Sequence, residues 1–258
     1  MNRVRLSGIF TIIVLLCIGG AYGSDKQFNV LVFTKTQGFH HKSVVEAIGG
    51  IRGLAKQHHF DMQWHEDANV FIDENLKQFD VVMFLLTTGD ILNKDQQAAF
   101  ERFIQSGKGF VGVHSASDTE YDWPWFGKLV GRNFHIHPTI QTATLNVIDR
   151  SFSGLSYFPD SSLFTDEWYE FGPELSPNLN YILSIDESSY NPVADWGTVK
   201  GDGMGDFHPI AWYQNVDNGR SFYTGLGHLP AVYKNTAYLQ HLYAGLYWSA
   251  TGKGISKK

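Results

Sequence analysis

His114 ends the apolar run that opens the stretch GKGFVGVHSASDTEYDWPWFG (residues 107–127), His228 closes RSFYTGLGH, and His41 lies in TKTQGFHHKS. Each stands just beyond a short apolar run. Imidazole titrates nearest neutrality, so a histidine can give or take a proton, and the neutral ring is a metal ligand. Glu167, in TDEWYEF, offers a carboxylate that could join them. His41, His114, Glu167 and His228 are therefore the candidate catalytic set, and the same four residues are the candidate ligands should a divalent metal be present. No HExxH or similar short zinc spacing occurs. A lone histidine is more often a packed structural residue than a ligand, so the reading depends on these rings converging.

Other groups fare differently. His135 and His137 alternate in NFHIHP and could share a strand face, although Pro138 ends that stretch. GDGMGD (residues 201–206) neither follows a strand nor opens a helix, which excludes a dinucleotide loop. No G-x-S-x-G elbow surrounds Ser115 or Ser117, which argues against a serine hydrolase.

The elements that must carry these residues are legible in the apolar pattern. Buried strands are predicted over 28–34, 60–65, 79–86 and 109–113, with amphipathic helices over about 44–57 and 94–106 between them. Ser43 with Glu46 reads as a capping box; Asn93 is the N-cap of the second helix and Gly107 its stop. Strands alternating with helices predict a mostly parallel sheet covered on both faces, whose ligands bind beyond the carboxyl ends of the strands. The second half is less regular. Runs at 140–148, 181–185, 209–213 and 221–226 read as strands, and Tyr238 to Tyr247 follows helical spacing. The polar stretch 187–206 reads as a lid.

Composition bounds the rest. Arg3 and Arg5 precede the apolar run 9–18, with small residues after it, the pattern of a signal peptide over residues 1–23 followed by one domain over 24–258. The run is short for a membrane span, so no stable anchor is expected. The expected location is outside the cytoplasm, in a periplasm or beyond the cell. Cys17, the single cysteine, would leave with the leader, so the mature chain has no disulfide. Loss of Arg3 and Arg5 takes the formal charge from −6 to −8, which makes nucleic acid a poor partner. Aromatic residues form 15% of the chain and several sit beside carboxylates, a combination suited to sugars. Asp118, Asp122, Trp123, Arg220 and His137 are the candidate residues for orienting a carbohydrate.

The phrases TKTQGFHHKS, LLTTGDILNKDQQAAFERFIQSGKGFVGVHSASDTEYDWPWF, DEWYEF, HPIAWY and GRSFYTGLGHLP together resemble the ThuA-like proteins, named for trehalose utilisation. That resemblance implies a flavodoxin-like three-layer fold related to class I glutamine amidotransferases. In those enzymes the turn matching GVHS carries a cysteine nucleophile; here His114 holds its place, and His228 looks like the retained histidine partner. Imidazole cannot form the thioester that glutamine hydrolysis requires, so glutaminase activity should be absent. What the resemblance implies instead is a role in sugar catabolism, acting on a saccharide or keto-sugar by His and Glu acid-base chemistry. A non-catalytic carbohydrate-binding protein and a metal-dependent hydrolase are the competing readings.

Overall fold

The computed structural model describes residues 26–255, so the expected leader over residues 1–23 lies outside the described residues. In chain order the elements are β1 (Asn29–Phe33), α1 (Val44–His58), β2 (Asp61–His65), α2 (Asp73–Leu76), β3 (Val81–Leu85), α3 (Lys94–Gln105), β4 (Gly109–Val113) and α4 (Pro124–Val130). There follow β5 (Phe134–Ile136), β6 (Gln141–Val147), β7 (Ser161–Asp166), β8 (Glu170–Phe171), β9 (Asn180–Asp186), β10 (Ala194–Asp195), β11 (Lys200–Gly201), β12 (His208–Val216), β13 (Gly219–Thr224) and α5 (Thr236–Thr251). Among the described residues no helix is long and apolar enough to cross a membrane.

Nine strands form one sheet in the order β2-β1-β3-β4-β13-β12-β9-β6-β7. Pairing is parallel from β2 through β13 and antiparallel from β13 to β7. The expectation of a mostly parallel sheet is therefore corrected to a mixed one. The reason lies in the connections: a parallel neighbour needs a long crossover, and between α4 and α5 there is no α-helix to provide one. β12 turns into β13 through Asp217 and Asn218, with Asp217 at a positive φ of 51°, the geometry of a tight hairpin.

Apolar side chains of the parallel half point to both faces. On one, Phe84 and Phe110 pack against Phe100 of α3 and Phe126 of α4, with ring centroids 5.4–6.0 Å apart. On the other, α5 lies so close that a Cβ on Gly109 would stand 2.2 Å from the Ser249 carbonyl, and one on Gly245 2.5 Å from the Phe222 ring. Only glycine permits those two approaches. Asn93 caps α3 in a capping box with Gln96, as its sequence suggests. Ser43 makes no such bond at α1; its hydroxyl reaches the Gly227 carbonyl instead, tying the first loop to the last.

Register fixes what emerges at the carboxyl edge. Leu85 of β3 and Thr224 of β13 both pair with Val113 of β4. The three strands thus end level, and the next residues, Leu86, His114 and Gly225, leave the sheet side by side.

Candidate active site

His114 is fully buried and leaves β4 at a positive φ of 52°. A non-glycine residue in that region is strained, and strain of this kind persists where the surroundings over-determine it, often at functional sites. Here the determinant is its neighbour on β13: the His114 Nδ1–H donates to the Gly225 carbonyl at 2.7 Å. A carbonyl can only accept, so the proton of the neutral ring sits on Nδ1 and the lone pair of Nε2 faces outward.

Three other groups meet that lone pair. Glu167 Oε2 lies 3.3 Å from His114 Nε2 and 3.0 Å from His228 Nδ1, and the two ring nitrogens stand 3.3 Å apart. His41 completes the group: its ring lies 4.9 Å from that of His114 and 5.2 Å from that of His228, nearly perpendicular to both. One ligand atom from each of His41, His114, Glu167 and His228 lies within 4.8 Å of the others. Ser115 Oγ approaches His41 Nδ1 at 3.4 Å. His137 joins from β5's far end, its Nδ1 3.4 Å from the second oxygen of Glu167.

Glu167 arrives from the antiparallel half. It follows β7, and the preceding Asp166 is buried and accepts the N–H groups of Gly227 at 2.7 Å and Leu229 at 3.1 Å. One carboxylate thus fastens the β7 exit to the loop carrying His228. Tyr169, two residues beyond Glu167, stacks its ring on His114 at 4.2 Å.

The electrostatics follow from burial and proximity. Burial would raise the Glu167 pKa, but the imidazoles set around it, His114 and His228 on one oxygen and His137 on the other, outweigh it and hold the carboxyl below the usual carboxylate range. His41 is pushed down to about 2 by burial and by repulsion from His114 and His228. His137 is also lowered, chiefly by burial, against the pull of Glu167. His228 goes the other way: burial opposes its protonation, yet the hydrogen bond and charge of Glu167 raise it. At neutral pH the site therefore combines an anion, two imidazoles held neutral (His41 and His137), and a His228 whose protonation Glu167 favours.

Several sequence candidates lie elsewhere. Trp123 is 6% exposed, stacked on Trp125 and Phe126, with its Nε1 donating to Glu101; it fills the core beside α3. Arg220 pairs with Gly109 at the starting ends of β13 and β4, and its guanidinium donates to the carbonyls of Ser249, Ala250 and Gly107. It closes the end of α5, roughly 16 Å along the strand from the site at about 3.3 Å per residue. Asp122 is exposed and makes no side-chain hydrogen bond to the cluster. Asp118 is partly buried, accepts the Tyr121 hydroxyl at 2.9 Å, and has its pKa raised by burial. His135 bonds the Lys200 carbonyl. His208 is buried between Glu187 and the Tyr169 carbonyl.

The stretch 187–206 is not the free lid its composition suggests. It folds back as the β10–β11 hairpin, and the Glu187 carboxylate gathers the N–H groups of Met204 and Gly205 together with His208. The hairpin presents Trp196, 51% exposed, 4.8 Å from the His137 ring. On the other side Phe39, 63% exposed, lies 4.9 Å from His41. These two aromatic residues rim the cluster in place of Trp123, and neither was singled out by the sequence pattern. A cavity of about 700 Å3 that includes His58, Arg150 and Tyr243 holds none of the cluster and, among the described residues, has no carboxylate in its wall.

Fold and site together define a mixed α/β protein with a large central sheet and a histidine–glutamate cluster at its carboxyl edge. The chain belongs to the ThuA family, described as trehalose utilisation, whose model matches residues 29–249. Among solved structures it resembles a ThuA-like protein from Bacteroides uniformis, at 22% identity and a TM-score of 0.73, covering 92% of this chain and 98% of that one. A ThuA-like protein from Parabacteroides merdae superimposes with a TM-score of 0.72 at 19% identity, over 90% of this chain and 92% of that one. Part of a β-galactosidase from Bacillus circulans sp. alkalophilus, 31% of its chain, matches 86% of this one at 16% identity and a TM-score of 0.54. No curated protein matches the sequence. Family membership links the protein to carbohydrate metabolism.

Proposed function

We propose that the protein processes a saccharide, or a sugar already oxidised to a ketone, by acid–base chemistry at the His41–His114–Glu167–His228 cluster. The observation that carries this reading is the convergence of these residues, from three separate strand ends and the first loop, beneath exposed aromatic rings. Sugars stack their C–H faces on such rings and hydrogen-bond charged groups at the edges. His228, whose protonation Glu167 favours, is the proton donor. His137, on the other carboxylate oxygen and held neutral, is the acceptor. On a keto-glycoside, His137 takes the proton from the carbon beside the carbonyl. That electron pair forms a carbon–carbon double bond as the glycosidic oxygen departs with a proton from His228. Trp196 and Phe39, at the rim, orient the sugar ring.

The strand-end turn at His114 fits a flavodoxin-like ancestry shared with glutamine amidotransferases, and imidazole in the cysteine's place removes the glutaminase reaction. The arginines and apolar run near the start of the chain favour export to a periplasm or beyond.

Incubating the purified protein with keto-glycosides and following products by NMR tests the reading. Turnover that disappears in His228→Ala supports it. Saccharide binding without turnover would replace it with a non-catalytic, carbohydrate-binding role.

A further inference from the structure

His114 Nε2, His228 Nδ1 and Glu167 Oε2 form a triangle with sides of 3.0, 3.3 and 3.3 Å. Hydrogen bonding alone does not satisfy it. A His114 ring with one proton commits it to Gly225, and its Nε2 and the carboxylate oxygen then face each other as two acceptors. His228 has a single proton at Nδ1 to share between both. Something positive belongs inside the triangle, either an added proton or a metal ion.

The spacing fits a metal. Donor atoms about 2.1 Å from one ion stand about 3.0 Å apart in an octahedron and about 3.4 Å apart in a tetrahedron, the range these three sides span. The three imidazole rings lie 74–84° from one another, with centroids 4.9–5.3 Å apart. The supports also match a metal site: ligating histidines commonly donate their second N–H to a carbonyl, as His114 does to Gly225, and ligating carboxylates are themselves hydrogen-bonded.

We infer that His114, Glu167 and His228 bind one divalent first-row transition-metal ion, with His41, whose ring nitrogen lies within 4.8 Å of those three donors, closing in as the fourth ligand and His137 supporting Glu167 from its other oxygen. Three imidazoles and one carboxylate suit zinc, iron or nickel far better than magnesium or calcium. Bound there, the ion would act as a Lewis acid on a carbonyl or hydroxyl oxygen of the substrate. The inference rests on the proposed function for the place where substrate arrives; with an ion bound, His228 would be its ligand and the ion, in place of that proton, would assist departure of the glycosidic oxygen, and the two fail separately.

Full-length mature protein, stripped with chelator and dialysed, is titrated with Zn2+ by calorimetry and with Co2+ by visible absorption. One ion per chain is expected, with ligand-field bands for Co2+ and a rise in Tm on Zn2+ addition. Glu167→Gln and His228→Ala should each weaken binding by about 100-fold or more, beyond the 10- to 100-fold typical of losing a supporting group. His135→Ala, an exposed ring outside the cluster, should leave binding unchanged. Absence of stoichiometric Zn2+ and Co2+ binding by folded protein overturns the inference, as does equal affinity in His228→Ala. Full saccharide turnover by metal-free protein would overturn the metal's role and leave the function standing. A stoichiometric ion with no saccharide turnover would do the reverse.

Discussion

Gly225 fixes His114: their 2.7 Å hydrogen bond joins two residues that are 111 positions apart but neighbours at the ends of paired strands. The tautomer and ring orientation of His114 are set by backbone geometry and not by another side chain. His114→Asn is therefore the informative exchange. Asparagine tolerates the left-handed backbone better than most residues, so the turn should survive. The reactive nitrogen would be lost. We expect Tm to shift by only a few degrees while turnover of keto-glycosides falls about 10- to 100-fold, the usual cost of losing a group that sets the groups doing the chemistry. Turnover within about threefold of the parent would remove His114 from the chemistry.

Asp166 is a positioning residue, since it touches the backbone of the His228 loop and not the open side of the site. Each of its oxygens accepts one N–H. Asp166→Asn keeps the shape but turns one acceptor into a donor facing another donor. Leaving buried polar groups unmatched costs about 1–3 kcal/mol, which chemical denaturation would register. If the loop is what places His228, the pH profile of kcat should shift in this variant as well. An unchanged profile alongside lowered stability would make Asp166 purely structural.

The site was legible in the sequence to the extent that strand ends were. The apolar runs before His114 and His228 are short and bounded, and the structure places strands over them within a residue or two. Strand ends in a parallel half must share an edge, so two distant histidines could be paired without coordinates. Trp123 and Arg220 failed for a related reason. Each lies close in sequence to polar residues, but Trp123 points from α4's start into the core and Arg220 begins its strand where His114's strand also begins. Trp196 was hidden because its hairpin is only two residues long on each side, too short for any periodicity. The antiparallel half gave β6, β9, β12 and β13 but neither β7, which carries Glu167 to the site, nor the order of the strands, which depends on loops whose paths no local pattern records.

Trp196 and Phe39 should govern affinity more than rate. Both are exposed beside histidines of the cluster, and neither has a group that could move a proton. Replacing Trp196 with Ala is expected to raise KM for a saccharide about 5- to 10-fold, in line with about 1 kcal/mol for a ring contact, with kcat little changed. Saccharide addition should also alter tryptophan fluorescence in the parent and less so in the variant. A KM unaffected by either exchange would place the sugar elsewhere.

Acid should loosen the hairpin that holds Trp196. Burial raises the Glu187 pKa, but hydrogen bonds from His208 and from the Met204 and Gly205 N–H groups outweigh it and bring it below its ordinary value of 4.5. A carboxyl with a depressed folded pKa contributes stability above its unfolded pKa and loses that contribution as pH falls through the folded one. The hairpin should therefore be held fully above about pH 4.5 and released progressively below it. Hydrogen exchange at Met204 and Gly205 should quicken over that range relative to the β4 core. Glu187→Gln, which leaves one acceptor oxygen for three donors, should show the faster exchange at neutral pH. Protection of these two amides that persists in Glu187→Gln would mean that something other than this carboxylate closes the hairpin.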